Sequence, residues 1–231
     1  MSPSATTPPR SPSPENDPFG FSEELVQAPQ YLKANTQSLT FDGLLDPPLL
    51  LHEDLAAGCG GMLWPAGMRL AKYLLKTKRE EIRSAESIVE LGAGGGLVGL
   101  ALAKSIPLST PLHLTDQAPM LPLMQRNTAL NDLTSTVTPS IYNWGEPTPA
   151  GLPAQPEIIL AADCIYFEPA FPLLMRTLEE LIGERTVCWF CFVKRRKADM
   201  HFLKAARKVF EVERVGDDPF EGEYYGQNVN L

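Results

Sequence analysis

Apolar positions along the chain fall into short runs separated by amphipathic stretches. Strand-like runs occupy Ser87–Leu91, Leu112–Thr115, Val137–Tyr142, Glu157–Ala162, Thr186–Val193 and Phe210–Val215, each four to eight residues long and rich in β-branched or aromatic side chains. Between most of them the apolar spacing changes to three or four. Pro65 stands at a first helical position, followed by a stripe of Ala66, Leu70 and Leu74; Pro169 opens another helix with Phe171, Leu174, Leu178 and Leu181 on one face. Strands alternating with helices predict an α/β fold, a mostly parallel sheet covered by helices on both faces. Ahead of it, Ser38 to Glu53, with Thr40-Phe41 and Leu49-Leu-Leu51 flanking Asp46-Pro-Pro48, reads as an extended N-terminal hairpin. No internal repeat is visible.

Composition sets the boundaries of this domain. Of 231 residues, 44% are apolar and 21% charged, enough for one substantial core. Met1 to Asp17 hold mainly Pro, Ser and Thr, too little apolar surface to offset the entropy of ordering. Residues 1–19 are therefore expected to form a disordered tail, and residues 20–231 a single domain. The net charge of −8 argues against a general phosphate-binding surface for nucleic acid. No apolar run approaches membrane-spanning length and the N-terminus lacks the apolar segment of a signal peptide, so a soluble, cytoplasmic protein is expected. Nothing in the sequence demands a dimer, and a monomer is expected. Four cysteines occur, Cys59, Cys164, Cys188 and Cys191. The last two form a CxxC inside a strand-like run, where positions i and i+3 face opposite sides. They read as buried structural thiols, and no metal site is expected.

The chemistry gathers at predicted strand ends, where open parallel sheets bind their ligands. Glu90-Leu-Gly-Ala-Gly-Gly-Gly-Leu-Val-Gly99 reads as a strand, a glycine turn and a helix start whose backbone N–H groups converge on one spot. The embedded Gly94-x-Gly96-x-x-Gly99 also fits a dinucleotide site. The acid in front of it instead suits a ligand carrying positive charge, and S-adenosyl-L-methionine carries an ammonium and a sulfonium. Asp116 ends the second strand, 24 residues after Gly92, where a carboxylate accepts hydrogen bonds from ribose hydroxyls; capping a helix is the alternative. Trp144, after the third strand, would flank an adenine or pack in the core. Asp163 and Tyr166 leave the fourth strand three residues apart, where they would border the methyl group being transferred. Methyl transfer needs proximity, alignment and a neutral acceptor amine. Asp163 can orient such an amine or help its proton leave, and Tyr166 can offer its hydroxyl or its ring face.

A resemblance adds to this reading. Gly58-Cys-Gly-Gly-Met-Leu-Trp64-Pro-Ala-Gly67, Glu90 to Gly99, Leu160-Ala-Ala-Asp-Cys-Ile-Tyr-Phe-Glu168 and Lys194-Arg-Arg-Lys-Ala-Asp199 are similar to segments of the family-16 seven-strand protein-lysine methyltransferases, with a Rossmann-like class I fold. The similarity covers roughly Phe21 to Val215 and is greatest to fungal members acting on translation elongation factor 1-alpha. It implies that Trp64, Gly92, Ala93, Gly94, Asp116, Trp144 and Ala162 contact S-adenosyl-L-methionine, with Glu90 supporting its methionine end. It further implies that Asp163 and Tyr166 line a lysine channel, that the hairpin helps to cover the cofactor, and that the substrate is a protein, elongation factor 1-alpha. Three departures stand out: Gly95 where many members carry Thr, Pro169 in place of a second acid, and a short polar C-terminus that leaves the last strand incomplete or differently paired. Lys194-Arg-Arg-Lys197 reads as a docking spot for an acidic protein surface rather than a track for RNA. Other functions open to the sequence are an inactive cofactor-binding module, a small-molecule methyltransferase and an NAD-dependent oxidoreductase.

Overall fold

A computed structural model describes residues 34–55, 58–224 and 226–231; the expected N-terminal tail and the side chain of Cys59 lie outside the described residues. Six strands form the main sheet: β3 (Ile88–Leu91), β4 (Leu112–Asp116), β5 (Val137–Ile141), β6 (Ile158–Ala162), β7 (Val187–Val193) and β8 (Val229–Asn230). Their spatial order is β5-β4-β3-β6-β7-β8, parallel except for β8, which pairs antiparallel with β7. Five of the six predicted strands are thus present within a residue or two of their expected ends.

Burial on both faces explains their near-continuous apolar sequences. Along β3 and β6, Ile88, Ile158 and Leu160 face a core shared with α1 (Pro65–Thr77) and α3 (Leu97–Ser105). Val89, Leu91, Ile159 and Ala161 face the other core, with α5 (Phe171–Leu181) and Phe202 of α6 (Lys197–Ala206). The predicted stripes of α1 and α5 are buried in these two cores. Cys188 packs on the second core and Cys191 in the first, so their side chains lie on opposite faces of β7. Burial pushes the Cys188 thiol up to about 12 and the Cys191 thiol higher still. The helices α2 (Arg79–Ser84) and α4 (Leu121–Leu130) complete the layers.

The sixth predicted strand, Phe210–Val215, is corrected: residues 211–215 form no ladder. The edge of β7 is already taken by β8, and the segment lies outside β8, where the Val215 N–H reaches the Leu231 carbonyl at 3.3 Å. With only two residues in β8, a further strand has no length to pair along. Its apolar alternation is met by half-burial of Phe210, Val212 and Val215.

What holds β8 in place comes from α1. Arg69, Lys72 and Tyr73 line a second stripe of that helix, and Arg69 and Lys72 are buried despite their charge. Arg69 pairs with Asp218 at 2.6 Å and donates to the Val229 carbonyl, Lys72 pairs with Glu223 and with Asp42, and the Tyr73 hydroxyl donates to Asp217 at 3.0 Å. The C-terminal segment is thereby strapped along α1 by side chains that charge patterning would have left in solvent.

The N-terminal hairpin is present as β1 (Asn35–Leu39) paired antiparallel with β2 (Leu49–Glu53), its first arm starting three residues before Ser38 and ending before Thr40-Phe41, which belong to the connection, where Phe41 has φ of 51°. It docks on α4 through two asparagines, Asn127 within the helix and Asn131 at its C-terminal cap. The Asn127 side chain accepts from the His52 N–H at 2.8 Å and donates to the His52 carbonyl at 3.0 Å, and Asn131 does the same for Leu50 at 2.9 and 2.7 Å. These amides satisfy backbone groups on the open edge of β2 that would otherwise be buried without partners. Asn127 also donates to the Gly95 carbonyl at 2.9 Å, tying hairpin and glycine turn into one network. Asn127→Ala leaves three buried backbone groups without partners; the expected cost is about 2–3 kcal/mol, a fall in melting temperature of roughly 5–10 °C. Thermal denaturation measures it, and a fall under 2 °C would remove Asn127 from this role.

Candidate functional site

The glycine turn between β3 and α3 is built for close backbone contact. Gly92, Gly94 and Gly96 all have positive φ, at 61°, 54° and 85°, a region side-chain-bearing residues seldom adopt. A Cβ on Gly94 would stand 2.3 Å from the Gly60 carbonyl oxygen, so the Gly58–Gly61 segment lies directly on the turn. A Cβ on Gly92 would stand 2.9 Å from the Trp144 ring and 3.1 Å from Cys164 Sγ. Trp144 is therefore at the turn itself as well as against the second core.

The turn is not an open row of donors. Its N–H groups at Ala93, Gly94, Gly96 and Gly99 go to the Thr115 carbonyl, Asp116 Oδ2, the Ala93 carbonyl and Glu90 Oε2. A pyrophosphate would find those donors taken and the Asp116 carboxylate beside it. With its N–H groups already bonded and acceptor positions left on Asp116, the turn fits a phosphate-free nucleoside such as S-adenosyl-L-methionine.

Glu90 differs from its expected placement. Its carboxylate does not reach out toward a ligand; it is 2% exposed and accepts from the Gly99 N–H at 2.7 Å. The N-cap of α3 is Gly96, which has no side chain to cap with, so Glu90 supplies from the neighbouring strand the oxygen that an N-cap residue normally provides. Burial pushes its pKa up to about 8, an effect the Gly99 N–H partly offsets and Asp116 reinforces. Unfolded, the group ionises near 4.5. Between those values the unfolded chain has released a proton that the folded chain keeps, so its stabilising contribution is present below about 4.5 and is lost as pH rises through about 8. Glu90→Gln keeps the acceptor and cannot ionise. Its melting temperature should gain several degrees on the wild type between pH 5 and pH 9 in the absence of ligand, and parallel curves would contradict this assignment.

Asp116 stands one strand further out, its two oxygens accepting from the Gly94 and Gln117 N–H groups, both at 2.7 Å. Burial pushes its pKa up and these two donors counter the rise. A carboxylate offers about four acceptor positions, so two are left for hydroxyl groups. Ala93 is buried in the turn and Ala162 is the half-buried last residue of β6.

At the end of β6 the chain turns sharply. Asp163 has φ of 59°, is 6% exposed, and accepts from the Val193 N–H at 3.1 Å. It also forms a two-pronged ion pair with Arg195, at 2.8 and 2.6 Å, and the Arg195 guanidinium lies over the Trp64 ring, 5.4 Å from its centre. Asp163 and Trp64 are thus joined through Arg195, a residue the sequence reading placed only in a docking cluster. Tyr166 is 44% exposed on the same rim, and its carbonyl accepts from Arg196. Asp199, fully buried, accepts from the N–H groups of Arg195 and Arg196 at 2.7 and 2.8 Å, fixing the turn that carries both. Among the described residues no cluster of His, Cys, Asp or Glu could hold a metal ion.

Residues 44–209 match the sequence profile of a family described as lysine methyltransferase, family 16. The chain is 34% identical over 221 residues to protein-lysine N-methyltransferase EFM6 of Saccharomyces cerevisiae, covering 86% of this chain and 89% of that one. It is 32% identical over 166 residues to protein N-lysine methyltransferase METTL21A of Mus musculus, covering 70% and 73%. It is 28% identical over 156 residues to EEF1A lysine methyltransferase 3 of Xenopus tropicalis, covering 66% of each.

Proposed function

Because this chain belongs to the family-16 lysine methyltransferases, we propose that it is a protein-lysine N-methyltransferase using S-adenosyl-L-methionine, that translation elongation factor 1-alpha is its substrate, and that it acts in the cytoplasm. The observation that carries the acceptor side is the pair Asp163 and Tyr166 at the end of β6, beside a glycine turn lined by Trp144 and Asp116.

Gly92, Ala93, Gly94, Asp116, Trp144, Trp64 and Ala162 would hold the cofactor, with Glu90 acting indirectly by keeping the turn and the first turn of α3 in shape. The bound cofactor supplies an electrophilic methyl group on a sulfonium, whose bonding pair stays on sulfur when the methyl leaves. The protein's share is positional. Asp163 holds the acceptor amine in line, Tyr166 borders it at the rim, and the hairpin fixed by Asn127 and Asn131 limits water around the turn.

The substrate is supported by a relative named for elongation factor 1-alpha and by the exposed basic residues Lys194, Arg196 and Lys197 beside the acceptor end, Arg195 between them being taken up by Asp163. Tritiated S-adenosyl-L-methionine incubated with the protein and unmethylated elongation factor 1-alpha should place label on a lysine. Label on other proteins of a lysate but none on the factor would overturn the substrate; failure of calorimetry to detect S-adenosyl-L-methionine binding would overturn the cofactor.

A further inference from the structure

Asp163, read above as the residue that meets the acceptor, already has a cation on it. Two N–H groups fall on its Oδ1, from Val193 and Arg195, and one on its Oδ2, from Arg195. Of about four acceptor positions on a carboxylate, Oδ2 can still take one donor, so an incoming amine is able to bond to Asp163 without dislodging Arg195.

The guanidinium is held from three sides. Asp199 fixes its backbone turn, the Trp64 ring centre lies 5.4 Å from it, and the carboxylate of Asp163 takes both of its prongs. This places a permanent positive charge within one side chain of the acceptor position.

Resting on the reading that Asp163 faces the acceptor, we infer that Arg195 is a positioning residue: by neutralising Asp163 it makes the site receive lysine as an uncharged amine instead of holding it as an ammonium. A lone carboxylate at that point would pair with the ammonium and stabilise the form that has no lone pair to attack with. The ion pair with Arg195 removes that attraction while keeping an oxygen for one N–H of the neutral amine. Arginine suits the task because it stays protonated throughout the working range and its planar fork matches a carboxylate.

Other charged groups near the pair come from several elements. Arg196 and Asp199 lie on the turn after β7, and Tyr166 and Cys164 on the loop after β6. Cys191 lies near Asp163 on β7 with its thiol pushed up by burial, and Glu90 and Asp116, at the ends of β3 and β4, act on the neighbouring Cys164. None of these is altered by substituting Arg195, so a change in pH dependence is assigned to the pair.

The test uses the full chain, unmethylated elongation factor 1-alpha and saturating S-adenosyl-L-methionine. Arg195→Gln is expected to lower kcat at neutral pH about tenfold and to move the acid limb of the kcat profile up by about one pH unit, so that activity returns toward wild type above pH 9. Its affinity for the unmethylated factor at pH 7, measured by calorimetry with the cofactor product bound, should equal or exceed that of the wild type. Arg195→Lys keeps the charge but loses one prong; its limb should stay at the wild-type position with kcat within about threefold. A loss in Arg195→Gln that is equal at all pH values, a weakened affinity for the factor, or a limb displaced equally in Arg195→Lys would each overturn the inference. Absence of methylation by the wild type would overturn the substrate reading and this inference with it, a result that no Arg195 variant can mimic.

Discussion

Asp163→Asn is expected to bind S-adenosyl-L-methionine within about threefold of the wild type and to methylate protein about 100-fold more slowly. Asparagine is chosen because Asp163 sits at φ of 59°, where Asn is among the few side chains at ease and Ala is strained. The amide oxygen can still take the Val193 N–H. Its NH2 group, however, would face the NH2 of Arg195, two donors where a donor and an acceptor had met. The acceptor amine then loses its one available oxygen and is left against a cation. The N–H groups of the glycine turn bond to Thr115, Asp116, Ala93 and Glu90 and not to Asp163, so cofactor affinity is the internal control for folding. Methylation within tenfold of wild type, measured by single-turnover label transfer, would remove Asp163 from the acceptor site.

The second large effect concerns stability. Arg69 and Asp218 are 3% and 1% exposed in their side chains, and Asp218→Ala leaves the guanidinium buried with the Val229 carbonyl as the acceptor it keeps. An uncompensated buried charge costs about 3–5 kcal/mol, which for a domain of this size corresponds to roughly 10 °C in melting temperature. Arg69→Met with Asp218→Leu removes both charges and should recover most of the loss. A melting temperature for Asp218→Ala within 2 °C of wild type would show the pair to be worth little. Because the pair holds the segment that ends in β8, its loss should also uncover the edge of β7 and promote association, which light scattering during the melt would register.

Much of this fold is legible in the sequence because its strands are buried on both faces. Runs such as Ile158-Ile-Leu-Ala-Ala162 admit few other arrangements, and the change to helical spacing after each places the helices. The positions of Asp116 and Asp163 follow from the same runs, since residues just past a strand stand at its carboxyl end. Phe210–Val215 has equally good alternation and still forms no strand, because pairing depends on the length of a neighbour contributed by residues 229–230. Glu90 stands at the turn, as its place at a strand end implies, but its carboxyl group points inward to Gly99, because the helix it precedes begins on a glycine that cannot cap itself, which nothing local in the sequence says. Arg195 illustrates the remaining gap. In sequence it is one of four successive basic residues, and only the buried Asp199 turning the backbone singles it out to reach Asp163. A charged residue two positions beyond a strand end, followed four residues later by an acid, is the signal that could have found it.

The way α4 holds β2 sets a limit on how long such a junction can be. Asn127 and Asn131 are four residues apart on a helix, a rise of about 6 Å, whereas the residues they serve, His52 and Leu50, are two apart on a strand, about 6.7 Å. The two repeats differ by well under an ångström, so two rungs fit within the tolerance of a hydrogen bond. Each further rung adds the same mismatch, and a third would fall outside it unless helix or strand bent. A helix can therefore stand in for a neighbouring strand over a short vernier only, which makes Asn-x-x-x-Asn at the C-terminal end of a helix such as α4 a pattern to look for wherever a two-stranded ribbon must be joined to a sheet it does not pair with.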